Sequence, residues 1–187
     1  MGGWARALGA AGMVVALAAC GGDGAAEGTD GSGPTPTGPV ECAPAPPPLV
    51  VDQLDDALAA VAAERPGPQR FFEVNATAAV VNMFFATTDA AGKSATVPYS
   101  WAAGQLRGEG EKEASGNTFE AAAIDVDPER VLSCVVVQLP DSRLDAFVVE
   151  GGPGGAVRYS VVLTSQQGGQ LVVEVNGQGQ VLAVDPV

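Results

Sequence analysis

Apolar and polar positions along the chain fall into three regimes. From Ala7 to Ala19 every residue is small or apolar, and Arg6 is the only charge before Cys20. From Gly21 to Pro48 the apolar pattern disappears into glycine, proline and short polar residues. From Leu49 to Val187 short apolar patterns return, some at helical spacing and some alternating, broken by Gly, Pro and Asn turns. Each regime answers to a different physical constraint, and the third predicts the fold.

Asp52 reads as a helix N-cap, with Leu54, Ala57, Leu58 and Val61 on one face and Pro66-Gly67-Pro68 closing the helix. Phe71 to Val74 and Ala78 to Ala86 read as strands around a turn at Asn75-Ala76-Thr77. Thr96 to Ala102 is a third strand, which Pro98 confines to an edge or a strand start. Asp127-Pro128-Glu129 opens a second helix with a cap, a proline at the first helical position and an acid in the first turn. Val131, Leu132, Val135, Val136 and Leu139 continue it until Pro140, although the β-branched run Val135-Val136-Val137 also suits a strand. Four strands follow: Leu144 to Glu150, Ala156 to Thr164, Gln170 to Asn176 and Gln180 to Val184, the last two joined by the hairpin signal Asn176-Gly177-Gln178-Gly179.

Helix, strands, helix, strands predicts an α+β fold with antiparallel sheet. The halves align at an offset of 75, which superposes Asp52 on Asp127, Phe72 on Phe147 and Val74 on Val149. That offset predicts two helix-plus-antiparallel-strand units sharing one sheet, similar to the tandem halves of β-lactamase-inhibitor-protein folds. Tyr99-Ser100-Trp101-Ala102-Ala103-Gly104, Ile124-Asp125-Val126-Asp127 and Val175-Asn176-Gly177-Gln178-Gly179-Gln180-Val181-Leu182 resemble an uncharacterised group of exported proteins of high-GC Gram-positive bacteria. That resemblance spans most of Phe71 to Val184 and implies a location and a fold, with no activity attached.

The apolar run at the start holds 13 residues, short of the roughly 20 that a helix needs to cross a bilayer core. A positive start, a short apolar stretch and small residues before a break make an export signal. Leu17-Ala18-Ala19-Cys20 resembles the lipobox of bacterial lipoprotein precursors, in which the cysteine is lipidated and becomes the mature N-terminus. Residues 1–19 are then a signal peptide, and Cys20 carries a diacylglyceryl group with palmitate-like chains. A cleaved secretory signal that happens to contain a cysteine is the plainer alternative. Each buried methylene contributes about 0.8 kcal/mol and stable attachment takes more than one chain, a condition the diacylglyceryl group meets. The expected location is the extracytoplasmic face of the cell membrane.

Residues 20–48 are the linker, with seven Gly, seven Pro and only Asp23, Glu27, Asp30 and Glu41 charged between Gly21 and Pro48. Such a composition offers nothing to offset ordering the backbone, so it reads as a disordered tether of about 30 Å, stiffened by its prolines. With Cys20 lipidated, Cys42 and Cys134 remain, and an exported chain with two cysteines has one possible disulfide. Paired, they pin the end of the tether to the domain; unpaired, Cys134 is a buried thiol and Cys42 an exposed one. Residues 49–187 form the single domain.

Composition narrows the chemistry. With 9 Lys+Arg against 22 Asp+Glu the formal charge is −13, and loss of Arg6 with the signal takes it to −14. Such a surface repels phosphate backbones, which argues against nucleic acid as a partner. There is no histidine, so a Ser-His nucleophile pair is impossible and a Cys/His zinc site is excluded. Lys93 and Lys112 sit in polar, turn-like stretches where a lowered lysine pKa has no cause. Glu109, Glu111, Glu113, Glu120, Asp125, Asp127 and Glu129 offer oxygen ligands for Ca²⁺, but without loop-site spacing they read as a solvated connector ending in a helix cap. Gly151-Gly152-Pro153-Gly154-Gly155 reads as a strand connection, since no helix follows it to cradle a phosphate.

No catalytic, metal or cofactor site is expected. Tyr99 and Trp101 share one side of their strand; exposed, they form a patch for a partner, and buried, they are ordinary core. The reading is a lipid-anchored extracytoplasmic binding or structural domain without catalysis, engaging an envelope protein through its open sheet. The alternative is a carrier or sensor of a small apolar ligand, motivated by Phe71, Phe72, Phe84 and Phe85.

Overall fold

A computed structural model describes Cys42 and residues 48–187. The signal peptide, Cys20 and the linker, Cys42 and Pro48 aside, lie outside the described residues. The rest forms two helices and ten strands, all paired strands being antiparallel. The fold is α+β, as the pattern predicts.

The first helix, α1 (Leu54–Glu64), buries Leu54, Ala57 and Val61, and Leu58 packs beside them. Pro66 disfavours helical backbone at Arg65, so the helix stops there. Asp52 is not its cap: Val51–Gln53 enter as a 3-10 turn, and Gln53 precedes α1 without a side-chain cap bond. Burial of Val51 pulls the chain into that tighter turn and leaves Asp52 exposed, where with Asp55 and Asp56 it complements the helix dipole.

Strands β1 (Arg70–Ala76) and β2 (Val81–Thr88) pair around a turn that falls two residues later than the sequence suggested. Ala76 is fully buried, so the strand continues through it. Thr77 then closes the turn: its amide donates to the Val80 carbonyl at 2.9 Å, and its hydroxyl accepts from the amides of Ala79 and Val80.

β3 (Ser94–Ala102) is interior and not an edge, because β4 (Gln105–Gly108) and the short β5 (Lys112–Glu113) both pair with its outer side. Pro98 is tolerated because it sits where that outer side passes from β4 to β5. Its carbonyl points outward and accepts from the Glu109 amide at 2.8 Å, and the missing N–H points the same way, so no bond to β2 is lost.

The acidic connector holds more structure than its charge suggests. β6 (Phe119–Glu120) pairs with the start of β1, and Phe119 is fully buried, 6.3 Å from the Phe71 ring. Helix α2 (Pro128–Gln138) keeps its predicted start: the Asp127 carboxylate accepts from the Arg130 amide at 3.0 Å. Val135, Val136 and Val137 are helical, so α2 takes the helix alternative. The remaining strands are β7 (Ser142–Gly151), β8 (Val157–Ser165), β9 (Gln170–Val175) and β10 (Val181–Pro186).

The sheet order is β10-β9-β8-β7-β1-β2-β3-β4, with β1 and β7 side by side at the centre. Val74, Met83, Tyr99, Val149, Val161, Leu163, Val173 and Val175 on one face join Leu54, Ala57, Val61, Val131, Leu132 and Val135 of the helices in one core. Phe71, Phe119 and Phe147 fill its middle, with Phe85 edge-on to Phe71 at 5.5 Å. Cys42 is bonded to Cys134 on α2, closing a sequence separation of 92.

Candidate functional site

With the helices on one face, alternation sends every second strand residue to the other face of the sheet. The pairings place those residues in rows. Arg107 faces Ser100, Ser100 faces Asn82, Asn82 faces Asn75, and Asn75 crosses the centre of the sheet to Val148. Val148 faces Ser160, Ser160 faces Glu174, and Glu174 faces Ala183. One unbroken row thus runs over all eight strands of the main sheet. A second row lies beside it: Pro98, Phe84, Glu73, Glu150 and Arg158.

Hydrogen bonds hold the centre of this face. The Asn82 carboxamide donates to Asn75 Oδ1 at 2.9 Å, and the Asn75 carboxamide donates to Glu73 Oε1 at 2.7 Å. Glu73 stands directly across from Glu150, a like-charged pair that costs stability unless neighbours compensate it. Asn75 relieves one side, and Arg158 pairs with Glu150 on the other. The bond to Glu150 and its charge hold the Arg158 guanidinium above its usual pKa against the opposing effect of burial, with a lesser contribution from Glu174. Farther out, Asp145 pairs with Arg143 at 3.0 Å and accepts from the Thr164 hydroxyl. The face therefore offers fixed amides and carboxylates, one half-buried aromatic ring (Phe84) and the aliphatic side chains of Val148, Val162 and Val172. Polar groups of set geometry interleaved with apolar ones suit recognition of another surface.

The residues singled out in the sequence lie elsewhere. Tyr99 is buried, its ring on the helix side of the sheet and its hydroxyl held between two α1-end residues: Arg65 Nε donates to it at 2.8 Å, and it donates to Glu64 Oε1 at 3.0 Å. The same contact is the main cause of the raised pKa of Arg65. Trp101, opposite Val81 and Leu106, is half-buried against the core. The four phenylalanines do not line one space: Phe71 and Phe85 are stacked edge-on in the core, Phe84 is on the opposite face, and Phe72 stands at a bulge in β1.

The acidic connector is dispersed as well, with Glu109 paired to Lys112 at 2.6 Å and Asp127 engaged as the α2 cap. Gly151 ends β7 where the Asn117 backbone crosses, so closely that an added Cβ would sit 2.5 Å from the Asn117 carbonyl oxygen. That glycine belongs to packing.

Nothing in the order of residues marked Asn75, Asn82, Ser100, Arg107 and Glu174 as a set. Asn82, Ser100 and Glu174 were legible as polar positions on strands, whereas Asn75 read as part of a turn and Arg107 lay on no expected strand; the alignment of all five depends on pairings between distant strands. Among the described residues no helix is long and apolar enough to cross a membrane. No protein-family model matches the chain, and no curated protein or solved structure matches it either.

Proposed function

We propose that the chain is an extracytoplasmic binding domain without catalytic activity, anchored in the cell membrane through lipid on Cys20 and engaging an envelope protein with the open face of its sheet. The observation that carries the reading is the row from Arg107 to Ala183, held at its centre by the Asn82–Asn75–Glu73 bonds and with both helices on the opposite side; within it Ser160 is buried. Preorganised side chains lose little entropy on binding, which is where much affinity otherwise goes. The Cys42–Cys134 bond supports an oxidising compartment, since such bonds are rare where thiols are kept reduced. An acidic domain is repelled by an anionic membrane, so lipid is what holds it there, at the end of the proline-rich tether.

The same reading divides the domain into two tandem halves, of the kind the β-lactamase-inhibitor-protein resemblance implies. In its support, α1 precedes β1 to β4 and α2 precedes β7 to β10, and Val74 faces Val149 across the centre. Those two valines are 75 residues apart, the offset at which the halves align, which supports tandem halves meeting where β1 pairs with β7. The carrier reading has less behind it, because large side chains fill the space between helices and sheet.

Cross-linking on intact cells, followed by pull-down and mass spectrometry of the bait's own N-terminus, tests the proposal. The expected result is a mature chain beginning at lipidated Cys20 and a partner captured by the wild type but lost with Cys20→Ala. An unmodified N-terminus, or recovery from the cytosol alone, would overturn it. Capture of no protein together with co-purifying lipid would favour the carrier.

A further inference from the structure

The end of α2 is left negative. Its last turn has no basic residue, and Pro140 stands where the next amide would have met the Val136 carbonyl, so that acceptor has no intrahelical donor. Carbonyls exposed at a helix C-terminus carry partial negative charge and favour a cation nearby. Asp141 follows immediately, exposed and, among the described residues, without an ion-pair partner.

Beside this end lies a cavity of about 200 Å³, lined by Gln138, Leu139, Asp141, Ser142, Ser165 and Leu171 among others. Most of its polar walls are already committed; Ser165 Oγ accepts from the Gln167 amide at 3.2 Å and keeps its proton to donate. The Gln138 carboxamide donates to the carbonyls of Cys134 (2.9 Å) and Gly179 (2.8 Å) and accepts from the Val181 amide (3.2 Å). The Ser142 hydroxyl donates to the Leu139 carbonyl at 2.5 Å. What remains for a ligand is the Asp141 carboxylate, the carbonyl end of α2, the Ser165 hydroxyl, and the apolar sides of Leu139, Pro140 and Leu171.

We propose that this cavity receives the cationic end of a lysine or arginine side chain from a protein partner. The size decides between ligand classes: drug-sized pockets run to roughly 300–1,000 Å³, whereas this one suits a few methylenes and one head group. The sign of the charge excludes phosphate and carboxylate. The methylenes lie along Leu139 and Leu171, and the head group lies between Asp141 and the helix end. Leu171 pairs with Leu163 on the helix side of the sheet, so this contact is separate from the open face and stands or falls without it.

The test is an amide-shift NMR titration of the purified chain, disulfide intact, with n-butylguanidinium and with n-butanol as its uncharged counterpart. Saturable shifts confined to Leu139–Ser142, Ser165 and Leu171 are expected with the cation, weakening with added salt. Asp141→Asn should weaken the cation about three-fold or more, leave the rest of the spectrum unchanged, and have no effect on butanol. Asp141→Glu should keep most of the response. Equal shifts with butanol, or indifference to Asp141→Asn, would reduce the cavity to an apolar cleft, and absence of any saturable shift would remove the site.

Discussion

At the scale of single residues, the backbone sets the sharpest constraints. The turn from β3 to β4 places Ala103 at φ 50° and Gly104 at φ 73°. Two successive positive φ values define the tight hairpin turn that favours Asn-Gly or Gly-Gly, and alanine there bears a cost of roughly 1–2 kcal/mol. Ala103→Gly or Ala103→Asn should therefore stabilise the protein by about 1 kcal/mol, read as a higher urea midpoint with an unchanged slope. The opposite sign applies where a glycine meets a neighbour. At Gly151 an added Cβ lies 2.5 Å from the Asn117 carbonyl oxygen, and at Gly179 it lies 2.7 Å from Cys134 Cβ. Gly151→Ala and Gly179→Ala should each destabilise by about 1–3 kcal/mol in the same assay. Unchanged midpoints would mean that those approaches relax freely.

Among elements, the two helix starts separate what sequence can and cannot disclose. Asp127 was legible as a cap because the cap, the proline and the acid are contiguous and need no tertiary information. Asp52 had the same local look, but burial of Val51 shifted the helix start by one residue and took the cap bond away. The consequence is measurable: Asp127→Ala should cost about 1 kcal/mol and Asp52→Ala less than about 0.5 kcal/mol. Similar losses would mean that Asp52 caps its helix in solution.

The strands divide the same way. β8 and β9 announced themselves by alternating apolar residues, Tyr159, Val161 and Leu163 in one and Leu171, Val173 and Val175 in the other, because alternation is a local signature. β4 did not, since Gln-Leu-Arg-Gly carries one apolar residue and joins the sheet only because β3 supplies a partner. Pro98 misled for a related reason. The rule confining proline to edges concerns a missing donor, and here that donor would have pointed outward, past the end of β4, so the ladder to β2 stays whole.

For the whole molecule, the long-range ties matter most. The Cys42–Cys134 bond joins a residue of the linker to a buried position on α2. By chain entropy a loop of this length is worth roughly 4–5 kcal/mol at most, so Cys42→Ala should lower thermal stability measurably, and reduction of the wild type should bring it to the same value. Equal stability of the oxidised and reduced forms would deny the bond a structural role.

The candidate site was the least legible feature of all. Polar residues at alternating positions indicate only that a strand has an outward side. That Asn75 lies between Asn82 and Val148 follows from the meeting of β1 and β7, whose facing residues stand some seventy positions apart in the chain. Tyr99 and Trp101 drew notice because they are aromatic, and it is their size that draws them toward the core side of the same sheet.

The open face is where the account commits itself, and site-specific photocross-linking on intact cells tests it directly. A photoreactive amino acid at Asn82, in the middle of the polar row, should yield a discrete adduct with one envelope protein. The same group at Ala59, on the exposed side of α1, should yield none. Adducts from Ala59 with none from Asn82, or equal and diffuse labelling from both, would contradict recognition through the sheet.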